Sequence, residues 1–339
     1  MTIKEIAAKA DVSIGTVDRV LHNRGGVNED TRRRINEIIR EEGYNGNVYA
    51  RNLKLGKSCT IGVLLPMQNS EFGYWKLVVN GVEKAERELG SFGVVLRVEY
   101  FDRDKNGDFT SKFRGLVSEN ISGLLLAPLC VSEMENLELS SCSIPIEFID
   151  SQYPMYTPVS TIAQNPYRGG YVAGKIMKLL TPSFGEFACI QIHSDAFNSF
   201  ERARGFKNFL GQDGRNQVID VDIKSLDQLP SVLDSLFKTH PDLRGIFTVN
   251  CIINSVGHYL VQRKLKDKVV AVGYDLVSEN IKALNQGYVD CIISQRPSYQ
   301  GYTAIYQLYR YLILGEEVLP EVEIPIDIYF RENLTDEID

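Results

Sequence analysis

The chain contains 339 residues, of which 44% are hydrophobic and 24% charged, and its formal net charge at pH 7 is −7. This balance is typical of globular proteins, excludes a wholly disordered chain and, at this length, predicts two or more domains. The apolar runs are far shorter than the ~20 residues that cross a bilayer, and the first residues lack the apolar core of a signal peptide, so we expect a cytoplasmic protein without membrane contact.

The charge is divided unevenly between the N-terminal segment and the rest. Residues 1–58 contain 11 basic and 8 acidic residues, a net charge of +3, whereas the remaining residues contain 26 basic and 36 acidic residues, a net charge of −10. A basic segment is the part of a chain that suits nucleic acid. The sequence therefore indicates a small basic head on a large acidic body.

Apolar residues at helical spacing predict three short helices in the head. Thr2 and Glu5 form a capping box for the first. The second follows a tight turn and begins at a Ser13 cap, and the third follows Asn28. Two short helices joined by a turn on a basic segment are typical of a DNA-binding helix-turn-helix. The alternative is a small helical domain whose apolar residues are all core and whose arginines are solvated.

From residue 60, apolar strand-like runs alternate with helical segments, which predicts βαβ units and parallel sheets. So many units do not fit comfortably into one open sheet, and we expect two similar lobes divided near residue 161. The predicted strands cover 60–65, 94–101, 123–127, 144–149, 186–192, 217–223, 245–249 and 268–273. The predicted helices cover 73–90, 108–119, 132–140, 166–180, 197–211, 226–239 and 252–263.

The six cysteines are scattered and show neither a C-x-x-C pair nor the Cys/His spacing of a zinc site. We expect reduced, partly buried thiols and no metal site. No strand is followed by G-x-G-x-x-G or a Walker motif, and no G-x-S-x-G turn occurs. We therefore predict neither a catalytic residue nor a cofactor, and a protein that is not an enzyme.

An ordered set of residues runs through the head: IKEIA at 3–7, ADVS at 10–13, TV at 16–17 and RVL at 19–21, then Val27, Thr31, Arg32, Ile35, Gly43, Tyr44, Ala50, Arg51 and Leu53. This set resembles the N-terminal signature of the LacI/GalR family of transcriptional regulators. The likeness covers the rest of the chain more diffusely. It implies that the body has the periplasmic-binding-protein type I fold, which this family uses as its effector domain.

The expected fold is thus a small all-α helix-turn-helix head and an α/β body with two doubly wound parallel-sheet lobes. We expect the head to span 1–45, a hinge 46–59, the first lobe 60–161 and 291–321, and the second lobe 162–290 and 322–339.

A recognition helix that begins near Ser13 would lie in the major groove. The resemblance places Ile14 and Gly15 at base-reading positions, and Ile14 suits a thymine methyl group. Arg19 lies one turn further along and could fork onto a guanine. Ser13, Thr16 and Asn23 are expected to contact phosphates.

The segment 44–57 resembles the family's hinge, which forms a helix on DNA and pairs with that of the dimer mate. Leu53 stands where the family inserts a leucine into the minor groove, and Ala50 is small enough for close pairing. A plain flexible linker is the alternative. Gly46 departs from the usual proline and should make ordering of the hinge more costly. Asp18 replaces a more usual serine and leaves the operator sequence open.

Ligands of such folds bind at the carboxyl ends of strands, in the cleft between the lobes. In the loop after the first strand and the helix that follows, Phe72 and Trp75 could stack on a sugar ring, or they could serve lobe packing or a dimer surface. Strand-end and helix-start positions add Asp102, Asp150, Asn165 and His193, for which capping or solvation is an equal alternative. Residues that match or resemble the family's ligand and cleft positions are Arg202, Asn250, Asp275 and Gln295. For Gln295, too, capping or strand-end solvation is an equal alternative.

Together these features predict a ligand-responsive regulator that acts as a repressor. We expect it to bind a pseudo-palindromic operator as a homodimer and to sense a small sugar or related metabolite. Induction is the default, and co-repression would use the same parts with the opposite sign. There are two competing hypotheses. The chain could be a binding protein for transport, which would lack the head, or a DNA-binding protein whose body contacts only other proteins. No heptad tail follows Leu334, which disfavours a coiled-coil tetramer.

Overall fold

The computed structural model describes residues 3–21, 25–41, 58–137, 139, 142–181 and 183–335. These residues fall into two compact units, Met1–Lys57 and Ser58–Asp339. None of the described helices is long and apolar enough to span a bilayer. All six cysteines are free thiols, four of them buried and two half-buried.

The first unit contains the three helices that the sequence predicted: α1 (Ile3–Lys9), α2 (Ile14–Leu21) and α3 (Glu29–Glu41). The side chain of Ser13 caps α2 by accepting a hydrogen bond of 3.1 Å from the amide of Thr16. One apolar core joins the three helices, and its fully or nearly fully buried members are Ile6, Ala7, Ala10, Val17, Val20 and Ile35. The head is therefore a helix-turn-helix with a third supporting helix.

The second unit is built on two six-stranded sheets. The first sheet has the order β11-β5-β4-β3-β1-β2 and the second the order β12-β10-β9-β8-β6-β7. The strands are β1 (Cys59–Pro66), β2 (Val94–Phe101), β3 (Gly123–Leu126), β4 (Ile146–Ile149), β5 (Ser160–Gln164), β6 (Glu186–Ile192), β7 (Gln217–Ile223), β8 (Leu243–Thr248), β9 (Val270–Tyr274), β10 (Cys291–Ser294), β11 (Glu321–Ile324) and β12 (Asp327–Tyr329). All pairs of neighbouring strands in these two described sheets are parallel except β10 with β12.

Helices cover both sheets, which is why the central strands are continuous apolar runs instead of alternating ones. In β1, for example, only Thr60 is not fully buried. The body helices are α4 (Tyr74–Leu89), α5 (Asp108–Ser118), α6 (Val131–Met134), α7 (Pro166–Leu180), α8 (Phe197–Leu210), α9 (Leu229–Thr239), α10 (Ile253–Gln262), α11 (Ser278–Asn285) and α12 (Pro297–Tyr309). Of the helix predicted at 132–140, the described residues form only the single turn α6.

The chain crosses between the lobes at three places, and all three differ from the predicted boundaries. β5 (Ser160–Gln164) lies wholly in the first sheet, although residues from 162 onward were assigned to the second lobe. β10 belongs to the second sheet because it pairs with β9, although the sequence assigned 291–321 to the first lobe. β11 belongs to the first sheet because it pairs with β5, although residues from 322 onward were assigned to the second lobe. β11 pairs with a strand 160 residues earlier in the chain (Glu321 with Thr161) and β10 with one 19 residues earlier (Cys291 with Val272), and local patterns do not reveal such partners.

Glycines bring two helix pairs into close contact beside the cleft. A Cβ atom at Gly170 of α7 would lie 1.8 Å from the carbonyl oxygen of Arg202 in α8, and one at Gly205 would lie 2.1 Å from the carbonyl oxygen of Tyr167. Helices α4 and α12 meet in the same way at Gly81, 1.8 Å from the carbonyl oxygen of Ser298. Only glycine permits these approaches, and the first of them fixes the position of Arg202.

Candidate functional site

The exposed face of α2 carries the predicted DNA-contacting residues. Ile14 is 51% exposed and takes no part in the core of the head, which is unusual for a large apolar residue. Ser13, Gly15 and Arg19 are also exposed, whereas Thr16 is half-buried and within 2.9 Å of the Ser13 hydroxyl. The face that holds Val17 and Val20 packs inward, so the helix has one face for the core and one that is free for contact. Asn23, Gly46, Ala50 and Leu53 lie outside the described residues.

The second candidate site is a cavity between the two lobes of the body, at the carboxyl ends of the strands. The free space inside it is only about 10 Å³, room for about one water molecule, so a ligand would enter by displacing the side-chain contacts that now fill it. Both lobes line it, and its lining residues are Glu71, Tyr74, Arg103, Leu129, Asp150, Asn198, Ser199, Arg202, Asn250, Asp275 and Gln295.

Arg202 occupies the centre of the second lobe's side of this cavity. It is 3% exposed, and its guanidinium lies 3.9 Å from the centroid of the Tyr274 ring. One Nη donates to the carbonyl of Val249 at 2.9 Å and the other to Oε1 of Gln295 at 2.8 Å. Its Nε has no hydrogen-bond partner among the described residues. A buried donor without a partner is a group that a ligand oxygen would satisfy.

Asp275 directly follows β9, and Gln295 forms hydrogen bonds with both Asp275 and Arg202. Its Oδ1 accepts a hydrogen bond of 3.0 Å from Nε2 of Gln295. Burial raises the pKa of Asp275 to about 7, although the charge of Arg202 and the bond from Gln295 act in the opposite direction. The backbone at Asp275 is left-handed, with φ of 70°, a conformation that Asp tolerates better than most residues.

Asp150 follows β4 in the first lobe and connects the lobes. Its Oδ1 accepts from the hydroxyl of Tyr74 at 2.6 Å, and its Oδ2 accepts from Nδ2 of Asn198 in the second lobe at 2.9 Å. Burial raises the pKa of Asp150, and the charge of Arg202 opposes that rise. In the same cavity, Asn250 accepts from the amide of Ile192 at 3.1 Å.

The structure thus brings together five residues that the sequence singled out, and their role in ligand binding remains a prediction. These residues are Asp150, Arg202, Asn250, Asp275 and Gln295.

Trp75 requires a correction. It is fully buried, packs edge-on against Tyr74 with ring centroids 5.2 Å apart, and belongs to the core under α4. Val78, Val79 and Val82 follow Trp75 by three, four and seven positions on α4, so all four residues lie on the same buried face. Trp75 therefore serves lobe packing, the alternative reading of the sequence, and has no face on the cavity.

Four other predicted residues also lie outside the cavity lining. Phe72 packs against the cores of both lobes. Asn165 caps α7 by accepting from the amide of Arg168 at 3.0 Å, and Asp102 accepts from the amide of Asp104 at 3.0 Å. His193 is half-buried, and burial together with the charge of Arg103 lowers its pKa. For Asn165 and Asp102 the structural alternative, capping and strand-end turns, describes what the side chains do.

The sequence reading missed several residues that line the cavity. Asn198 and Ser199 precede Arg202 by four and three positions on α8, so helical periodicity would have placed them on the same face. Arg103 follows Asp102 at the end of β2, and Glu71 lies in the loop that holds Phe72. Nothing local distinguishes these two from solvated surface residues, because they meet only in the folded chain.

The chemistry of the cavity is that of a balanced polar site. Three carboxyl groups and two guanidinium groups line it together with amides and hydroxyls, and they already form hydrogen bonds to one another. Hydroxyl groups, which both donate and accept, can replace such bonds one by one. No cluster of potential metal ligands occurs among the described residues.

Comparison with known proteins gives matches to both units. A family model described as "Bacterial regulatory proteins, lacI family" matches residues 2–47, and one described as "Periplasmic binding protein domain" matches residues 61–317. These two ranges agree with the helix-turn-helix head and the two-lobed body.

Individual relatives agree with the family models. The regulator DegA of Bacillus subtilis is 29% identical over 216 residues, which are 63% of this chain and 61% of DegA. The chain thus spans about three fifths of that relative's length. The ribose operon repressor of Halalkalibacterium halodurans is 25% identical over 279 residues, 81% of this chain and 80% of the repressor.

Among solved structures, a Bacteroides fragilis protein assigned as a LacI transcriptional regulator is 27% identical. Its TM-score is 0.75, and the match covers 82% of this chain and 98% of that one. The fold of the body, the fold of the head and both family models lead to the same conclusion. The chain belongs to the LacI family of bacterial regulatory proteins and has a periplasmic-binding-protein domain as its body.

Proposed function

We propose that this chain is a ligand-responsive transcriptional repressor. It acts in the cytoplasm, binds a pseudo-palindromic operator as a homodimer and senses a small sugar or sugar derivative in the inter-lobe cavity. The proposal assigns it no catalytic activity.

The observation that carries the sensor proposal is the polar network around Arg202. Its buried guanidinium has one unpartnered nitrogen, and Gln295 links it to Asp275. A sugar offers several hydroxyls at fixed spacing, so it can accept from the arginine while it donates to the carboxylates. The name of one relative, the ribose operon repressor, supports a sugar as the class of ligand.

The geometry of α2 supports the DNA-binding half. Exposed Arg19 can donate to a guanine, and exposed Ile14 can contact a thymine methyl group. Ser13 and Thr16 at the start of the helix, together with Asn23, set the position on the phosphates. A homodimer presents two such helices to the two halves of an operator, and Leu53 with Ala50 completes the contact at its centre.

Sugar and operator are coupled by thermodynamic linkage. If the sugar lowers the affinity for operator by some factor, the operator lowers the affinity for sugar by the same factor. We propose induction, in which the sugar releases the DNA.

Calorimetric titration of the full chain with D-ribose, D-glucose, D-galactose and D-arabinose tests the sensor. We expect one of these sugars to bind, and absence of heat with all four and with their derivatives would overturn the sugar proposal. Selection from a random DNA pool tests the head independently. It should return a pseudo-palindrome, and Arg19→Ala should weaken binding to that sequence by ~1–3 kcal/mol and relax one base pair. An equal loss on random DNA would make Arg19 a phosphate contact.

A further inference from the structure

The segment between β1 and α4 has an unusual backbone. Glu71, Phe72 and Gly73 are consecutive residues in the left-handed region, with φ of 52°, 53° and 85°. Glycine adopts this conformation freely, whereas a residue with a side chain does so at a cost of roughly 1–2 kcal/mol. Two such residues in succession persist only where surrounding contacts hold them.

Phe72 supplies the first of these contacts. Its ring is half-buried and packs against the core of the first lobe and against the core of the second. The first of these cores also contains Ala196, Cys251 and Val277 from the second lobe. Phe72 thus lies where the two lobes meet, and separation of the lobes would expose its ring.

Glu71 supplies two polar contacts. Its carboxylate accepts from Nη1 of Arg103 at 2.8 Å, with side-chain exposures of only 18% and 8%. Its backbone carbonyl accepts from the thiol of Cys251 at 3.0 Å. The first contact anchors the segment to its own lobe, and the second joins it to the other lobe.

The contact at Cys251 continues to the ligand-binding network. Nδ2 of Asn280 lies 3.0 Å from the carbonyl oxygen of Cys251 and 2.9 Å from that of Asp275. The buried side-chain amide of Asn280 therefore connects Cys251, which contacts Glu71, to Asp275, which is predicted to bind the sugar. Movement of Glu71 away from the second lobe would free one end of this connection.

We propose that Glu71 and Phe72 form an inter-lobe latch, in which the Phe72 ring holds the lobes closed and the Glu71–Arg103 ion pair positions it. The role differs from the sugar stacking that the sequence suggested for Phe72. It concerns closure of the cavity in the proposed sensor, and it requires neither a particular sugar nor DNA.

Thiol labelling tests closure, because Cys251 of the second lobe is buried against the first lobe's core and its thiol contacts Glu71, so the proposal expects opening of the latch to expose it. The full chain, without sugar or DNA, is treated with N-ethylmaleimide, and mass spectrometry gives the labelling rates of Cys251 and Cys189. Cys189 is an internal control, since it is fully buried within the second lobe alone. The ratio of the two rates separates opening of the cleft from general unfolding.

In Phe72→Ala we expect this ratio to rise at least about tenfold, and in Phe72→Leu, which keeps an apolar side chain, by less than about threefold. Arg103→Met, which leaves Phe72 in place, should raise it by about threefold. Phe200→Ala removes an exposed ring from α8 and should leave it unchanged. An unchanged ratio in both Phe72→Ala and Arg103→Met would overturn the latch. Equal acceleration at both cysteines, or rapid labelling of Cys251 in the wild type, would overturn it as well.

Discussion

The two lobes contribute different kinds of surface to the cavity. On the second lobe, Arg202, Asp275 and Gln295 are bonded to one another and to the backbone of their own lobe. On the first lobe, Asp150 and Glu71 make contacts that cross to the second lobe. The second lobe therefore carries a preformed polar surface, and the first lobe completes the site only when the cleft is closed. Preorganisation of one side reduces the ordering that a ligand must impose.

The largest expected effect comes from separating α8, which carries Arg202, from its neighbour α7. Gly170→Ala would place a methyl group 1.8 Å from the carbonyl oxygen of Arg202, so α7 and α8 must separate. We expect the free energy of unfolding to fall by ~1–3 kcal/mol and sugar binding to weaken with it. Gly211→Ala at the end of α8, where nothing lies within 4 Å, is the matched control and should change stability by less than about 0.5 kcal/mol. Equal behaviour of the two variants in urea denaturation would contradict the close packing.

A smaller effect concerns the ionisation of Asp275. Its pKa of about 7 in the folded chain exceeds the ~3.9 of an unfolded chain, so between these values the folded state binds more protons. The free energy of unfolding that Asp275 contributes therefore falls as the pH rises from about 4 to about 7. Asp275→Asn cannot ionise and should lose this part of the pH dependence.

Urea denaturation of wild type and Asp275→Asn across this pH range measures the difference. The pKa values of buried Asp150 and Glu147 are also raised by burial, but both residues are present in both proteins. Asp234→Asn, at a half-exposed ion pair with Arg263, is the control. Parallel curves for wild type and Asp275→Asn would show that Asp275 is ionised throughout.

The smallest effect on binding is expected at Trp75. Its indole Nε1 has no hydrogen-bond partner among the described residues, and the ring lies in the core of the first lobe. Trp75→Phe should lower the free energy of unfolding by ~1–2 kcal/mol and leave the calorimetric affinity for sugar within about twofold. A tenfold loss of affinity with little change in stability would restore the stacking role.

Local patterns predicted most of the elements but not all of the site. The helix expected at 73–90 is Tyr74–Leu89, and the strand expected at 186–192 is Glu186–Ile192, because apolar periodicity and strand-end position are local properties. The same rule located Asp150, Asn250 and Asp275 at the ends of their strands. Membership in the LacI family, implied by the head signature, was also confirmed.

Most of the errors come from contacts between residues that are far apart in the chain. The sheet assignments of β10 and β11 depend on pairing with β9 and β5, and periodicity does not encode partners. For Trp75 the sequence left sugar stacking and lobe packing open, although its spacing with Val78, Val79 and Val82 is a local sign of the buried face. The left-handed backbone at Phe72, whose ring packs against both cores, has no local sign in a run of residues that contains one glycine.

The central claim is that the preformed surface around Arg202 holds the sugar, and one comparison tests it most directly. Arg202→Met removes the buried guanidinium, and Arg204→Met removes an exposed one from the same helix, where it pairs with Glu201. Titration of both variants with the sugar that binds the wild type from the panel of four should show a loss of about 10–100-fold for Arg202→Met and none for Arg204→Met. Equal affinity in the two variants would contradict the claim.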